Sequence, residues 1–164
     1  MPLSAPELVV GILPSARMRT TDYDLIVTDR RVVGAKVGTP GMAPAAGFVL
    51  GGVVGYSIGR GLSRGQAAQR ARYAGLSIDQ IIGSDRQNFH IPIAWIERGE
   101  FTGGINMVVT PRLTLWVPGQ ELTFKFMNHY WAKDKAEVRY IADVLAKILP
   151  GRITFKRIGG HKPL

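Results

Sequence analysis

Two short runs constrain the fold more than anything else in this chain. They are Tyr23-Asp-Leu-Ile-Val-Thr28 and Arg31-Val-Val-Gly-Ala-Lys-Val37, and only Asp29-Arg30 lies between them. Two β-branched, apolar runs joined by two polar residues predict a tight antiparallel hairpin. Leu8 to Leu13 reads as a strand before it. Further on, Leu113-Thr-Leu-Trp-Val117 and Leu122-Thr-Phe-Lys-Phe126 alternate around Pro118-Gly119-Gln120. Alternation puts Leu113, Leu115 and Val117 on one face, with Leu122, Phe124 and Phe126 beside them, and turns Trp116 outward. Phe89 to Ile93 and Trp95 to Glu100 are expected to form one strand bent near Pro92, and Ile105 to Thr110 a further one. Ile153 to Arg157 adds a short last run.

Helical signals are few. Ser77-Ile-Asp-Gln80 is a capping box, which predicts a short helix over Ile78 to Ile82 stopped by Gly83. Gln66 to Tyr73 is rich in Ala and Arg, in helix-favouring proportion. From Ala132 to Leu149, apolar residues fall at Val138, Ile141, Ala142, Leu145, Ile148 and Leu149, at helical spacing, and Pro150-Gly151 follows. The expected class is α+β, mainly β: a curved antiparallel sheet or partly open barrel of about seven strands, capped by one C-terminal amphipathic helix.

At 164 residues the chain is one domain's worth of length, residues 1–164. With 46% hydrophobic and 20% charged residues it has the means to bury a core, which excludes wholesale disorder. It has no cysteine, so disulfides, thiolate metal sites and a cysteine nucleophile are excluded. The N-terminus lacks a basic start, and its apolar run is broken by Glu7 and Pro14, so it is not read as a signal peptide.

The formal net charge is +9, and it is unevenly spread. Residues 88–131 sum to zero, whereas residues 132–164 carry eight Lys/Arg against three acids. Two acid-free runs stand out: Arg60, Arg64, Arg70 and Arg72, and then Lys147, Arg152, Lys156, Arg157 and Lys162 up to the basic tail 151–164. Such runs are candidate binders of phosphates on lipid heads or nucleic acid; the plain alternative is a solvated face. Glycine is just as local. Eight of the 20 glycines lie between 41 and 65, and no charged residue occurs from Val37 to Gly59.

Three passages carry a family resemblance. Tyr23 to Ala35 resembles an early hairpin in which Thr and a basic residue flank the turn. Asn88-Phe-His-Ile-Pro-Ile-Ala-Trp-Ile-Glu97 resembles an Ile-Pro stretch leading to an Ile-acidic strand. The third passage is the hairpin Leu113 to Phe126 with the helix Ala132 to Leu149. Together they look like the prokaryotic pleckstrin-homology-like (PH/GRAM-like) group, a binding and scaffolding fold with some membrane-engaging members. The resemblance implies no catalytic residue. Residues 38–87 depart from it as an insertion between the third and fourth strands.

Gly47, Gly51, Gly55 and Gly59 recur every four residues in that insertion. On a helix they would form one bare stripe, allowing close backbone approach. Each glycine costs a helix roughly 1 kcal/mol against Ala, so packing must compensate. Phe48, Val54 and Ile58 would cover adjoining surface. A bilayer span needs about 20 apolar residues. Val37 to Gly59 is 23 long, but one crossing would separate strands that belong to one sheet. Three readings stay open: the stretch dips into a membrane face with the arginines at the phosphates, it pairs with itself or another protein, or it packs on its own domain.

No recognised catalytic motif appears. There is no G-x-S-x-G, and Gly59-Arg-Gly-Leu-Ser lacks the Lys-Ser/Thr of a phosphate loop. His90, His129 and His161 are far apart, and Asp22, Asp24 and Asp29 are read as strand-end and turn residues. Trp95, Trp116, Tyr130 and Trp131 are candidate base-stacking residues that more simply cover the sheet. No enzyme, metal, cofactor or small-molecule substrate is expected. The leading expectation is a cytoplasmic, peripherally membrane-associated or protein-binding module, including self-association, working through the insertion. The alternative is a basic protein associated with RNA, such as rRNA of the ribosome, through Arg60–Arg72 and the basic tail.

Overall fold

The computed structural model describes residues 6–38, 73–104, 110–126 and 135–158. Its elements are β1 (Val9–Met18), β2 (Thr21–Thr28), β3 (Arg31–Gly38), α1 (Ile78–Ser84), β4 (Phe89–Pro92), a 3₁₀ turn (Ile93–Trp95), β5 (Arg98–Thr102), β6 (Arg112–Val117), β7 (Gln120–Phe126), α2 (Lys135–Ile148) and β8 (Ile153–Lys156). The eight strands form one open sheet in the order β4-β3-β2-β1-β7-β6-β5-β8. All neighbours are antiparallel except β5 and β8. The chain is therefore mainly β, with two helices among the described residues.

Both predicted hairpins form. Val27 pairs with Val32 around Asp29-Arg30, and Val117 pairs with Gln120 around Pro118-Gly119. Gly119 has φ +77°, a conformation that a side chain disfavours, so the tight turn depends on it. The first strand runs to Met18, five residues past the apolar run that predicts it. The expected strand bent at Pro92 is instead two strands. Pro92 ends β4, the 3₁₀ turn follows, and β5 begins at Arg98. These two lie far apart in the sheet, β4 against β3 and β5 between β6 and β8. The strand count is eight rather than about seven: the split at Pro92 adds one, and the expected short run at Ile153 forms β8, parallel to β5, with Phe155 beside Phe101. The expected strand at 105–110 and helix at 66–73 fall largely outside the described residues.

The main core lies between the sheet and α2. Val138, Ile141, Ala142, Leu145, Ile148 and Leu149 are all buried, as their spacing predicts. They join Leu13, Leu25, Leu113, Leu115, Phe101, Phe124 and Phe126 in one cluster. Each fully buried large side chain contributes about 1.5–3 kcal/mol of transfer free energy. Tyr140 of α2 reaches the sheet, where its hydroxyl accepts the Ile12 amide at 3.3 Å. α2 ends at Ile148, and Gly151 at φ +70° reverses the chain into β8.

A second, smaller cluster covers the opposite face of β1–β3. It contains Ile12, Ile26, Val33, Ala35, Val37, Tyr73 and Ile81. The middle of β2 is thus buried on both sides, which is why Leu25-Ile26-Val27 is apolar without interruption. α1 supplies Ile81 to this layer. Its capping box is present: the Ser77 hydroxyl accepts the Gln80 amide, and the Gln80 side chain accepts the Ser77 amide. Gly83 does not stop it; the helix runs to Ser84.

Candidate binding cleft and cation row

The connection between β3 and β4 is anchored at one end of the sheet. It leaves β3 at Gly38, whose partner on β2 is Asp22. It returns at Asn88, whose side chain rebuilds the junction. Asn88 Oδ1 accepts the Lys36 amide at 2.8 Å, and Nδ2 donates to the Ile81 carbonyl at 2.7 Å. The Tyr73 hydroxyl donates to the Lys36 carbonyl at 2.7 Å. Both ends of the described connection are therefore held against β3.

A cleft of about 710 Å³ opens beside this junction. One wall is the β1–β2 turn with Arg17, Met18 and Arg19, another is β4 with Phe89, His90 and Ile91, and the third is β7 from Gln120 to Thr123 with Lys125. Its floor is aromatic. Tyr23 meets Phe89 edge-on with centroids 5.0 Å apart, and Phe89 stacks on Phe124 at 6.1 Å. Burial pushes the Tyr23 phenol above its usual pKa. Its rim is basic. Arg17 makes a two-point contact with Asp22, Nε–Oδ1 2.7 Å and Nη2–Oδ2 3.2 Å, and this carboxylate raises the guanidinium's pKa further. Arg19 is exposed at the turn, with φ +56°.

Strand register extends the rim into a row. Arg17 on β1 is the partner of Lys125 on β7, which is the partner of Arg112 on β6. Arg112 pairs with Thr102 on β5, and Thr102 with Lys156 on β8. Cross-strand partners point to the same face, so four cations lie along one line across the sheet. The members at its two ends are neutralised. Asp22 holds Arg17, and Glu100 holds Lys156 at 2.7 Å.

The sequence candidates divide sharply. Gly47, Phe48, Gly51, Val54, Gly55, Ile58 and Gly59 lie outside the described residues, as do Arg60, Arg64, Arg70, Arg72 and Lys162. Of the C-terminal run, Lys147 is exposed in the last turn of α2, and Arg157 is exposed with φ +55°. Arg152 turns inward instead, donating to the carbonyls of Ile93 at 3.2 Å and Ile96 at 2.6 Å. That run is spread between a helix end, an internal tie and a paired strand residue.

The aromatic candidates also divide. Trp116 faces outward as alternation predicts, and the Arg98 guanidinium lies 4.0 Å from its ring centroid. Trp95 is 60% exposed in the 3₁₀ turn. Tyr130 and Trp131 lie outside the described residues. His90 is an exposed strand residue on the cleft rim. Asp29 accepts the Leu8 amide and Asp24 the Ser15 amide, each at 3.0 Å, so both shape backbone. Among the described residues no group of three or more His, Asp or Glu is placed to hold a metal, and no helix is long and apolar enough to cross a membrane.

Arg17, Arg19, Arg112 and Lys125 were not singled out by sequence reasoning. Their neighbourhoods sum to nearly zero charge, which hides them. The hairpin itself held the signal: a turn that pairs Val117 with Gln120 necessarily sets Arg112 opposite Lys125.

No protein-family model matches this chain, and no curated protein matches it.

Proposed function

We propose that this chain is a non-enzymatic, PH-like binding module that associates with an anionic membrane surface, and that the contact is made at the end of the sheet where the 38–87 insertion is rooted. The strand order supports the PH-like part. β1 to β4 follow one another across the sheet, β5 to β7 return to lie beside β1, and a helix follows the last hairpin and covers the core.

One observation carries the membrane part. The uncharged, glycine-rich stretch starts from the same end of the domain that presents Arg19 and Lys125 around an aromatic-floored cleft. An apolar segment flanked by cations matches the two layers of a bilayer surface, acyl boundary and phosphates. A protein partner would not require that juxtaposition.

Vesicle co-sedimentation of the full chain, beside a variant lacking residues 42–59, tests the proposal. The full chain is expected to sediment with anionic vesicles, retain part of that binding at high salt, and lose it with the deletion. Binding to RNA that survives the deletion and collapses with salt would overturn the proposal in favour of an RNA-associated protein.

A further inference from the structure

We infer that Arg112 and Lys125 form a binding site for the phosphate of an anionic phospholipid headgroup. The source of the phosphate rests on the membrane proposal above; the site itself rests on the geometry of β6 and β7.

The Phe126 amide donates to the Pro111 carbonyl at 2.9 Å, so residues 111 and 126 are a hydrogen-bonded pair. The next pair, Arg112 and Lys125, is then a non-hydrogen-bonded one. Such pairs have Cα atoms only about 4.5 Å apart and the closest side chains in a sheet. Both residues are exposed. Two like charges directly opposite one another destabilise a sheet. Neither residue has an ion-pair partner among the described residues: Asp22 is engaged by Arg17, Glu100 by Lys156, and Glu121, on the same face of β7, takes a hydrogen bond from Thr123.

A phosphate resolves the arrangement. It offers several acceptor oxygens, two of which match the guanidinium fork while another takes the ammonium. The adjacent cross-strand pair on the same face is Thr114 and Thr123, whose hydroxyl oxygens lie 3.3 Å apart. Thr123 is half-buried and its hydroxyl donates to Glu121 Oε1 at 3.4 Å, so a carboxylate bounds the site on that side and the phosphate contacts come from Arg112 and Lys125. Lys125 also lines the cleft at the root of the insertion, so a headgroup held here lies at the end proposed to face the bilayer. A nucleic-acid strand fits less well. It needs a succession of open cations, and this row closes after two, because Arg17 and Lys156 are already paired.

The test uses the full chain with phosphatidylcholine vesicles, with phosphatidylcholine vesicles containing phosphatidic acid, and with inorganic phosphate in a thermal melt. The variants are Arg112→Gln/Lys125→Gln and Lys125→Glu. The parent is expected to prefer the acidic vesicles, and both variants to lose that preference by about tenfold or more, the scale of lost charge-assisted hydrogen bonds. Inorganic phosphate is expected to raise the parent's melting temperature and not the variants'. Lys125→Glu replaces a like-charge pair by an opposite one, so its own melting temperature is expected to stay level or rise, which separates lost binding from lost folding.

Unchanged preference for acidic vesicles in both variants, with loss only on deletion of residues 42–59, overturns this site and leaves the membrane proposal standing. If the parent ignores both vesicles, the phospholipid inference is overturned together with the membrane proposal. A phosphate-induced melting shift equal in parent and variants also overturns the site.

Discussion

Glu7 and Arg31, 24 residues apart, meet in a two-point ion pair, with Arg31 Nε 2.9 Å from Oε1 and Nη2 2.6 Å from Oε2. Arg31 also reaches Asp79 of α1 at 2.7 Å. One side chain thus ties the N-terminal segment, the first hairpin and the short helix together. The Arg31 hydrogen bond holds the Glu7 carboxyl below the usual range, against the opposing effect of burial. A carboxyl depressed in the folded state binds fewer protons there than in the unfolded chain. Its stabilisation is therefore complete above the ordinary Glu pKa of about 4.3 and is lost as pH falls through the lower folded value. Urea unfolding followed by circular dichroism should show this loss on the acid side in the parent. In Glu7→Gln that part of the pH dependence should disappear, at a cost of about 1–3 kcal/mol near neutrality.

Gly34 lies against an aromatic ring. A Cβ there would sit 2.2 Å from Phe89 Cε1. Gly34→Ala must displace Phe89 from its contacts with Tyr23 and Phe124, and with it the floor of the cleft. The expected cost is about 1–3 kcal/mol. The near-ultraviolet circular dichroism of the aromatic cluster is expected to change, while the far-ultraviolet spectrum keeps its β signature.

Phe101 is completely buried and meets Phe126 edge-on at 6.0 Å between ring centroids. Phe101→Ala removes the side chain that joins the middle of β5 to the rest of the core. A loss of about 3–5 kcal/mol is expected from chemical denaturation. A loss below 1 kcal/mol would mean that the β5 layer is not part of the cooperative core.

Asn88 closes the junction between β3, β4 and α1 through both of its amide atoms. Asn88→Ala removes both bonds at once without touching the main cluster. Hydrogen exchange is expected to speed up over residues 73–84 and at the Lys36 amide, while the amides of β6 and β7 stay protected. Uniform acceleration across the sheet would contradict the separation of the two apolar layers.

Local chemistry explains which parts of the fold were legible in the sequence. The two hairpins, the Ser77–Gln80 cap and the buried stripe of α2 each rest on residues within a few positions of one another. Phe101 meeting Phe126, or Ile81 covering Val33 and Ala35, depends on register between distant segments, which no local pattern carries. The split at Pro92 was half visible: the proline marked the break, but nothing nearby showed that β4 and β5 sit far apart in the sheet. The acid-free run after Lys147 misled for a related reason. Closeness in sequence is not closeness in space: Arg152 points at the carbonyls of Ile93 and Ile96 while Lys147 faces outward. Arg112 and Lys125 show the reverse case, where thirteen positions along the chain become direct neighbours across a turn.

The parallel strand β8 gives the sheet a definite order of completion during synthesis. The edge of β5 is closed by bonds from the Gly99 amide, and from that of Gly103 just past the strand, to the carbonyls of Arg152 and Lys156. While translation is still short of residue 156, that edge stands open beside Phe101. A nascent chain therefore carries β5 as an edge ready to pair with a neighbour until Ile153–Lys156 has left the ribosome, and a product truncated before Ile153 keeps Phe101 beside an uncovered strand edge.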